Sequence, residues 1–173
     1  MKICKLFIII SFILFSNIAN SNEKIVFMDQ TFIYKNSLAG KSISTQLKKS
    51  QDKIVKKLTN NKKLLSDEES KLITQKNILQ PEEYKKKVLL LQKKILSHNK
   101  TRNENNDILK KKQFKGNSIL RNSLTPILSA YSEENSIAMI IDKQYVVLGN
   151  SALDITADIL KLLDKKVKTI KLD

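Results

Sequence analysis

Leucines at positions 58, 65, 72 and 79 recur every seven residues, with Leu47 and Ile54 in the companion seats. Beyond Pro81 the pattern resumes as Tyr84, Val88, Leu91 and Ile95, in steps of four, three and four. An apolar repeat of this period marks helices that bury a narrow stripe against another helix. Pro81 has no backbone N–H to donate and suits the first turn of a helix, and Glu82 and Glu83 behind it favour a helix N-terminus. Gln80-Pro81 therefore ends one helix and begins the next. Two heptad segments joined by so short a turn predict an antiparallel hairpin, an arm that leaves a body and returns to it. The competing arrangement is a parallel dimer of helices acting as a spacer. At 1.5 Å per residue, an outgoing helix of roughly 39 residues reaches about 58 Å.

With the bend near residues 80–81, facing positions have numbers summing to about 160, an order implied by the 1.5 Å rise of each helix. Leu72 then meets Val88 and Leu65 meets Ile95, whereas Leu58 lies near Arg102, Ile54 near Asn105 and Asn106, and Asn61 near His98 and Asn99. A polar seat in a coiled-coil seam fixes register at a cost in stability. The middle of the arm is therefore expected to be softer than its far half. Gly116 is a second weak point, at ~1 kcal/mol relative to alanine, and Pro126 is expected to kink or end the returning helix.

The ends of the chain are different in kind. Lys24–Asp29 (KIVFMD), Ser136–Ile141 (SIAMII) and Gln144–Leu148 (QYVVL) are short runs of strand formers. The last two are separated only by Asp142-Lys143, the spacing of a tight hairpin whose turn type stays open without glycine. Thr156 begins a final helix, capped by Thr156 or Asp154, with Asp158 in its first turn and Lys165-Lys166 in its last. The expected fold is α+β and predominantly helical: a small three-stranded body with a long antiparallel coiled-coil arm. Residues 22–40 hold the first strand and the start of the body, 41–122 the arm, and 123–173 the rest of the body. Such a body buries too little surface to be comfortable alone and leaves two strand edges unpaired. Joining of sheets between copies would remedy both.

Charge is concentrated in the arm. Residues 41–122 hold 22 basic and 8 acidic residues, a net of +14 out of +15 for the whole chain. The candidate contact surface on the outgoing helix is Lys48, Lys49, Lys56, Lys57, Lys62 and Lys63, continued on the returning helix by Lys85, Lys86, Lys87, Lys93 and Lys94. A lysine run is usually a solvated helix face, but so much charge of one sign on a slender arm repels itself and favours an anionic partner. Acidic polypeptides and phosphate-rich lipid headgroups have that chemistry. The other functional classes are poorly served. Gly40, Gly116 and Gly149 are far apart, so no glycine-rich phosphate loop exists. One histidine and one cysteine cannot build a multi-His or multi-Cys metal site. His98 has no acid three or four positions away and reads as a polar seam residue, and Ser66-Asp67-Glu68-Glu69 would fan out around a helix. Neither an enzyme nor a cofactor is expected.

Met1–Lys5 is a short basic stretch, Leu6–Phe15 is apolar apart from Ser11, and Ala19-Asn20-Ser21 puts small residues where signal peptidase cuts. That order predicts a secretory signal over 1–21, cleaved after Ser21. The competing reading, a retained anchor, needs roughly 20 apolar residues, and the run gets there only by including Ser16 and Asn17. Cleavage removes Cys4 and leaves no cysteine for a disulfide. Export also argues against nucleic acid as partner.

The order of these features resembles the Skp/OmpH family of periplasmic chaperones. The resemblance rests on KIVFMD followed by Ser37-Leu-Ala-Gly-Lys41, on Asn77-Ile-Leu-Gln-Pro-Glu-Glu-Tyr84-Lys-Lys-Lys-Val88 at the bend, and on Leu124-Thr-Pro-Ile-Leu128. It continues through Glu134-Asn-Ser-Ile-Ala-Met-Ile-Ile141-Asp and Leu153-Asp-Ile-Thr156. The polar middle of the seam departs from the pattern and bears on arm stiffness. The resemblance implies a homotrimer whose strands form one shared body and whose arms enclose a cavity. In that cavity an ATP-independent holdase would keep unfolded outer-membrane proteins from aggregating in the periplasm. It also implies binding of lipopolysaccharide or other anionic lipid. The alternative is an exported coiled-coil spacer or an envelope protein that docks on anionic lipid.

Overall fold

Ser37 ends one helix and begins another. Its backbone is extended (φ −63°, ψ 153°), its N–H donates to the Ile33 carbonyl, and its buried Oγ accepts from the Gly40 N–H at 3.0 Å. The joint lies between α1 (Gln30–Asn36) and α2 (Leu38–Thr74) in a computed structural model that describes residues 23–172. The expected signal segment and its cleavage point lie outside those residues. A second free amide at the start of α2, that of Leu38, donates to Asp164 Oδ1 at 2.7 Å. Removing the cap by Ser37→Ala is expected to cost up to about 2 kcal/mol, measured as a lower urea midpoint at unchanged slope.

The remaining elements are β1 (Lys24–Met28), α3 (Pro81–Glu134), β2 (Ile137–Asp142) and α4 (Thr156–Lys166), with 3₁₀ turns at Lys143–Tyr145 and Ser151–Leu153. Helix α2 has 37 residues and α3 has 54, lengths of about 55 and 81 Å at 1.5 Å per residue. Pro81 stands at the first helical position of α3 with Glu82 and Glu83 in the first turn, so the proline-and-acid signal marks this start. At Pro126, where a kink or an end was expected, the helix does not end; α3 continues to Glu134. Its neighbours Leu124 and Ile127 are each only 2% exposed. Burying two such side chains contributes roughly 1.5–3 kcal/mol apiece, enough to offset a proline cost of about 3 kcal/mol.

The sheet differs from the expected hairpin. β1 and β2 pair in parallel, from Lys24↔Ile137 to Met28↔Asp142, with a register shift after Lys24. Parallel neighbours need a long crossover, and here it comprises α1, the whole arm and the rest of α3. The third expected strand, 144–148, is not a strand in the described chain. Asp142 Oδ1 instead accepts from the Gln144 N–H at 3.1 Å and starts a 3₁₀ turn. That local bond turns the chain out of the sheet where a hairpin would need backbone suited to a tight reversal. The other edge of β1 is met by Asp154-Ile155, with the Ile155 N–H donating to the Phe27 carbonyl at 3.0 Å.

Between α3 and β2, Ser136 adopts φ 52°. A non-glycine residue in the left-handed region is strained by roughly 1–2 kcal/mol. Ser136→Gly is expected to raise stability by up to about 1 kcal/mol after the extra chain entropy of glycine, read as a higher unfolding midpoint.

The core is at the head and the arm root. Val26, Met28, Ile33, Ala39, Ile43, Leu120, Leu124, Ile127, Ile155, Ile159, Leu163 and Ile170 form one buried cluster. Polar bonds fasten its rim. Lys143 Nζ contacts Asp154 Oδ2 at 2.7 Å, and Asp154 Oδ1 accepts from the Thr156 N–H and hydroxyl. Thr156 Oγ1 accepts from the Asp29 N–H at 2.9 Å. The N-cap of α4 is Ile155, without a side-chain cap bond, so neither Thr156 nor Asp154 is the cap expected there; Asp154 instead holds the chain entering α4 by accepting from Thr156. Burial acts to raise the Asp154 carboxyl, but its bonds with Lys143 and Thr156 together hold it below the usual carboxylate value. A depressed carboxyl contributes stability above its unfolded pKa and loses it as pH falls through the folded value. Acid unfolding of Asp154→Asn should therefore be shallower than that of the native chain at pH below about 4. A native-like slope in a pH series of urea midpoints would disprove it.

Candidate functional site

The arm is the part of the described chain most given over to exposed side chains. Between Ile43 and Leu72 α2 has no fully buried residue, and α3 has none between Leu91 and Gly116. The seam residues Leu47, Ile54, Leu58, Leu65, Leu79, Tyr84 and Val88 are half-buried, Leu72 and Leu91 are buried, and Ile95 is 36% exposed. Facing numbers sum to about 160, as 1.5 Å steps on two opposed helices require. Lys94 Nζ reaches both carboxylate oxygens of Glu68, at 2.6 and 2.8 Å, and Leu72 lines a groove with Lys87 and Leu90. Near the root, Gly116 lies against Ile43.

The seam's middle has a polar flaw. His98 is half-buried, and its Nδ1 is shut off from solvent without a hydrogen-bond partner. A buried polar atom left unpaired costs free energy that its neighbours must offset. With only half-buried Leu58 and Leu65 opposite this stretch, residues 55–62 are expected to exchange their amide hydrogens faster than residues 65–72. Equal protection in the two segments would refute the soft middle.

The lysines of the candidate contact surface divide by helix. On α2, Lys48, Lys49, Lys56, Lys57, Lys62 and Lys63 are all exposed, in adjacent pairs from the root to just past the middle of the arm. On α3, Lys85, Lys86, Lys93 and Lys94 are exposed toward the tip, and Lys87 is half-buried. Two of the α3 lysines are already engaged: Lys87 pairs with Glu83 at 3.2 Å, and Lys94 is held by Glu68. These pairs are solvated, so each contributes little to stability. The eleven lysines therefore do not converge on one pocket, and the structure spreads them along the hairpin instead.

The lysines are not alone on this surface. Leu64, Ile73, Leu89, Leu90 and Leu96 are between 51% and 68% exposed, and Ile78 at the tip is 80% exposed. Taking 100° per residue from the seam seats, Ile73, Leu89 and Leu96 fall on one flank of the hairpin and Leu64 and Leu90 on the other. Lysine counts and the heptad seam do not find these residues. The signal was there in Leu64-Leu65, Val88–Leu91 and Ile95-Leu96, because adjacent apolar residues cannot share one narrow seam. A long basic arm therefore carries apolar strips on both flanks. Those strips can take up apolar segments of a partner while the lysines attract acidic groups.

The chemistry for other roles is thin. Among the described residues no group of three or more His, Cys, Asp or Glu side chains could hold a metal ion, and no helix is long and apolar enough to cross a membrane. In the head, a cavity of about 590 Å³ is lined by Phe32, Ala157 and Leu160 with Asp29, Lys143, Asp154 and Asp164 among its polar groups. Four of its charged groups are already engaged: Asp29 caps α1, Asp164 receives the Leu38 amide, and Lys143 and Asp154 hold each other.

Residues 24–163 match the model of the family described as Outer membrane protein (OmpH-like). The chain belongs to the OmpH-like family. The match takes in both strands, the whole arm and the start of α4, so it covers the architecture and not one motif. The fold agrees with a crystal structure of an OmpH-like protein from Caulobacter crescentus CB15, with a TM-score of 0.80. That similarity covers 87% of this chain and 89% of the other, at 20% sequence identity. No curated protein matches the chain. The two chains thus share a fold while agreeing at one position in five.

Proposed function

We propose that this OmpH-like chain is an ATP-independent holdase that keeps unfolded outer-membrane proteins from aggregating in the periplasm. The observation that carries the reading is the arm surface: strips of exposed Leu and Ile on both flanks, within a segment of net charge +14. The Caulobacter relative is named as an outer membrane chaperone, which is consistent with it. Opposite charge steers an acidic unfolded chain to the arm and fades with salt. Many weak apolar contacts then hold it through effective concentration. Release needs no fuel, because a client that folds into a membrane leaves the unfolded pool that the holdase binds.

The functional unit in this reading is a homotrimer. β2 has no second strand partner among the described residues, while Tyr145, Val147 and Leu148 stand exposed at 75%, 103% and 93%. An open strand edge beside an exposed run of strand formers favours pairing between copies. Three arms would then surround one cavity. Export by a signal over 1–21, cleaved after Ser21, belongs to the same proposal, as does contact of the arm lysines with lipopolysaccharide or anionic phospholipid.

Dilution of a urea-unfolded β-barrel protein into the cleaved protein tests holding directly. Suppressed light scattering at equimolar trimer and low salt is the expected result; full aggregation there would end the holdase reading. Leu89→Ser/Leu96→Ser should weaken protection at every salt concentration. Lys85, Lys86 and Lys87 replaced together by Gln should slow capture at low salt and make little difference near 1 M salt, where screening acts within about 3 Å. A parallel dimer in sedimentation would favour the spacer reading instead.

A further inference from the structure

The chain does not stop at α4. Residues 167–172 turn back along the root of the arm, with Val167, Ile170 and Leu172 directed to the core. Ile170 is only 4% exposed. A methyl group of Leu172 lies 2.9 Å from where a Cβ on Gly116 would stand, so the tail fits against α3 where that helix lacks a side chain. On α2 the contact is polar and specific. The Gln46 amide donates to the Ile170 carbonyl at 2.6 Å, and its Oε1 accepts from the Leu172 N–H at 3.0 Å. The Ser42 hydroxyl adds a longer bond to the same carbonyl, at 3.3 Å.

One side-chain amide thus reads both the acceptor and the donor of the tail, much as a neighbouring strand would. The amide is itself held by Ser42, through the hydroxyl and the carbonyl, both at 3.1 Å. The position of this contact matters. Gln46 and Gly116 mark the level at which α2 and α3 leave the core, since the next fully buried residue outward on α2 is Leu72 and on α3 is Leu91.

We propose that residues 167–172 form a strap across the arm root, latched by Gln46, and that the strap sets the level at which the arm begins to pivot. With the strap seated, both helices are held out to residues 46 and 116. With it released, the nearest rigid anchors are the core positions Ile43 and Leu120, and the arm gains a turn of free helix on each side. This holds whatever the arm binds.

The test uses the full mature chain with cysteine-attached spin labels at Lys76, beside the bend, and Lys165 on α4, the labelled chain being diluted into unlabelled chain. Gln46→Glu keeps the size of the side chain and its acceptor but turns a carboxylate oxygen toward the Ile170 carbonyl. The Leu172 amide is expected to exchange about tenfold faster, the equivalent of roughly one hydrogen bond. The distance distribution from 76 to 165 is expected to broaden while helical content is unchanged. Leu172→Ala leaves the sequences of both arm helices intact and should move the two readouts in the same direction. Native protection of the Leu172 amide in Gln46→Glu would overturn the latch. A freed tail with a distance distribution as narrow as that of the native chain would overturn the strap's control of the arm.

Discussion

Gly40→Ala is expected to destabilise the protein by about 3 kcal/mol or more, at or above the upper end of the usual overpacking range. A Cβ at this position would stand 1.7 Å from the Tyr34 carbonyl oxygen, 2.8 Å from its carbon and 3.0 Å from Ser37 Oγ. The first two obstacles are backbone, and the third is the atom that caps α2. Nothing flexible can give way. Gly40 has no positive φ, so the demand is for space and not for an unusual conformation. The glycine lets the last turn of α1 lie against the first turn of α2, and both helices contribute to the core through Ile33, Ala39 and Ile43. Relief of the clash requires the joint to open, which would also break the Ser37 cap. Against a typical total stability of about 5–15 kcal/mol, that loss is between about a fifth and more than half of the whole. Urea unfolding by circular dichroism decides it: a loss below about 1 kcal/mol would mean that the joint yields easily and that the close approach is not a constraint.

Gly116 shows why the environment of a glycine matters more than its presence in a helix. An added Cβ there would meet Leu172 and Ile43 side-chain atoms at 2.9–3.4 Å. These are the ends of side chains, which can shift by a few tenths of an ångström. Alanine also gains about 1 kcal/mol of helix propensity over glycine. Gly116→Ala is therefore expected to change stability by less than about 1 kcal/mol in either direction, well inside the effect at Gly40. A large loss in the same urea series would show that the tail and α3 are too tightly fitted to adjust.

The helical hairpin was legible because it rests on period and punctuation, both local in sequence. Leucines every seven residues, then Pro81 with two acids, specify two opposed helices and the start of the second without reference to the rest of the fold. The first helix ends at Thr74 and not at Gln80, so that Leu79 falls in the turn. Strand pairing was not legible in the same way. Ser136–Ile141 and Gln144–Leu148 are equally rich in strand formers, and their separation suits a hairpin. The outcome turns on the Asp142 side chain starting a 3₁₀ turn and on β1 arriving from more than a hundred residues away. Neither is visible in the run itself. Pro126 failed as a helix end for a related reason: its local cost is outweighed by Leu124 and Ile127, whose burial depends on the assembled core. The apolar flanks of the arm were missed for want of a count. One seam cannot take Val88, Leu89, Leu90 and Leu91 together, so at least some must face outward.

The second large effect separates the head from the arm. Leu120 is fully buried beside Ile159 and Leu163 in the cluster that joins α3 to α4, whereas Leu65 in the arm is half-buried. Leu120→Ala removes a side chain from a closed core and leaves a cavity, for an expected loss of about 3 kcal/mol. Leu65→Ala removes a side chain that solvent already touches, and the two arm helices can close on the gap, so about 1 kcal/mol is expected from the smaller area removed from water. The probes should also differ. Tyr34 and Tyr131 pack against the head cluster, so tyrosine fluorescence should report the Leu120→Ala transition first. Far-ultraviolet circular dichroism, dominated by the arm helices, should respond relatively more to Leu65→Ala. This follows from where the buried residues lie: the head's core sets overall stability, and the arm has only Leu72 and Leu91 as buried apolar residues beyond the root. Equal losses at Leu120 and Leu65 would place as much stabilising burial in the arm as in the head, and the arm could not then be the yielding part of the molecule.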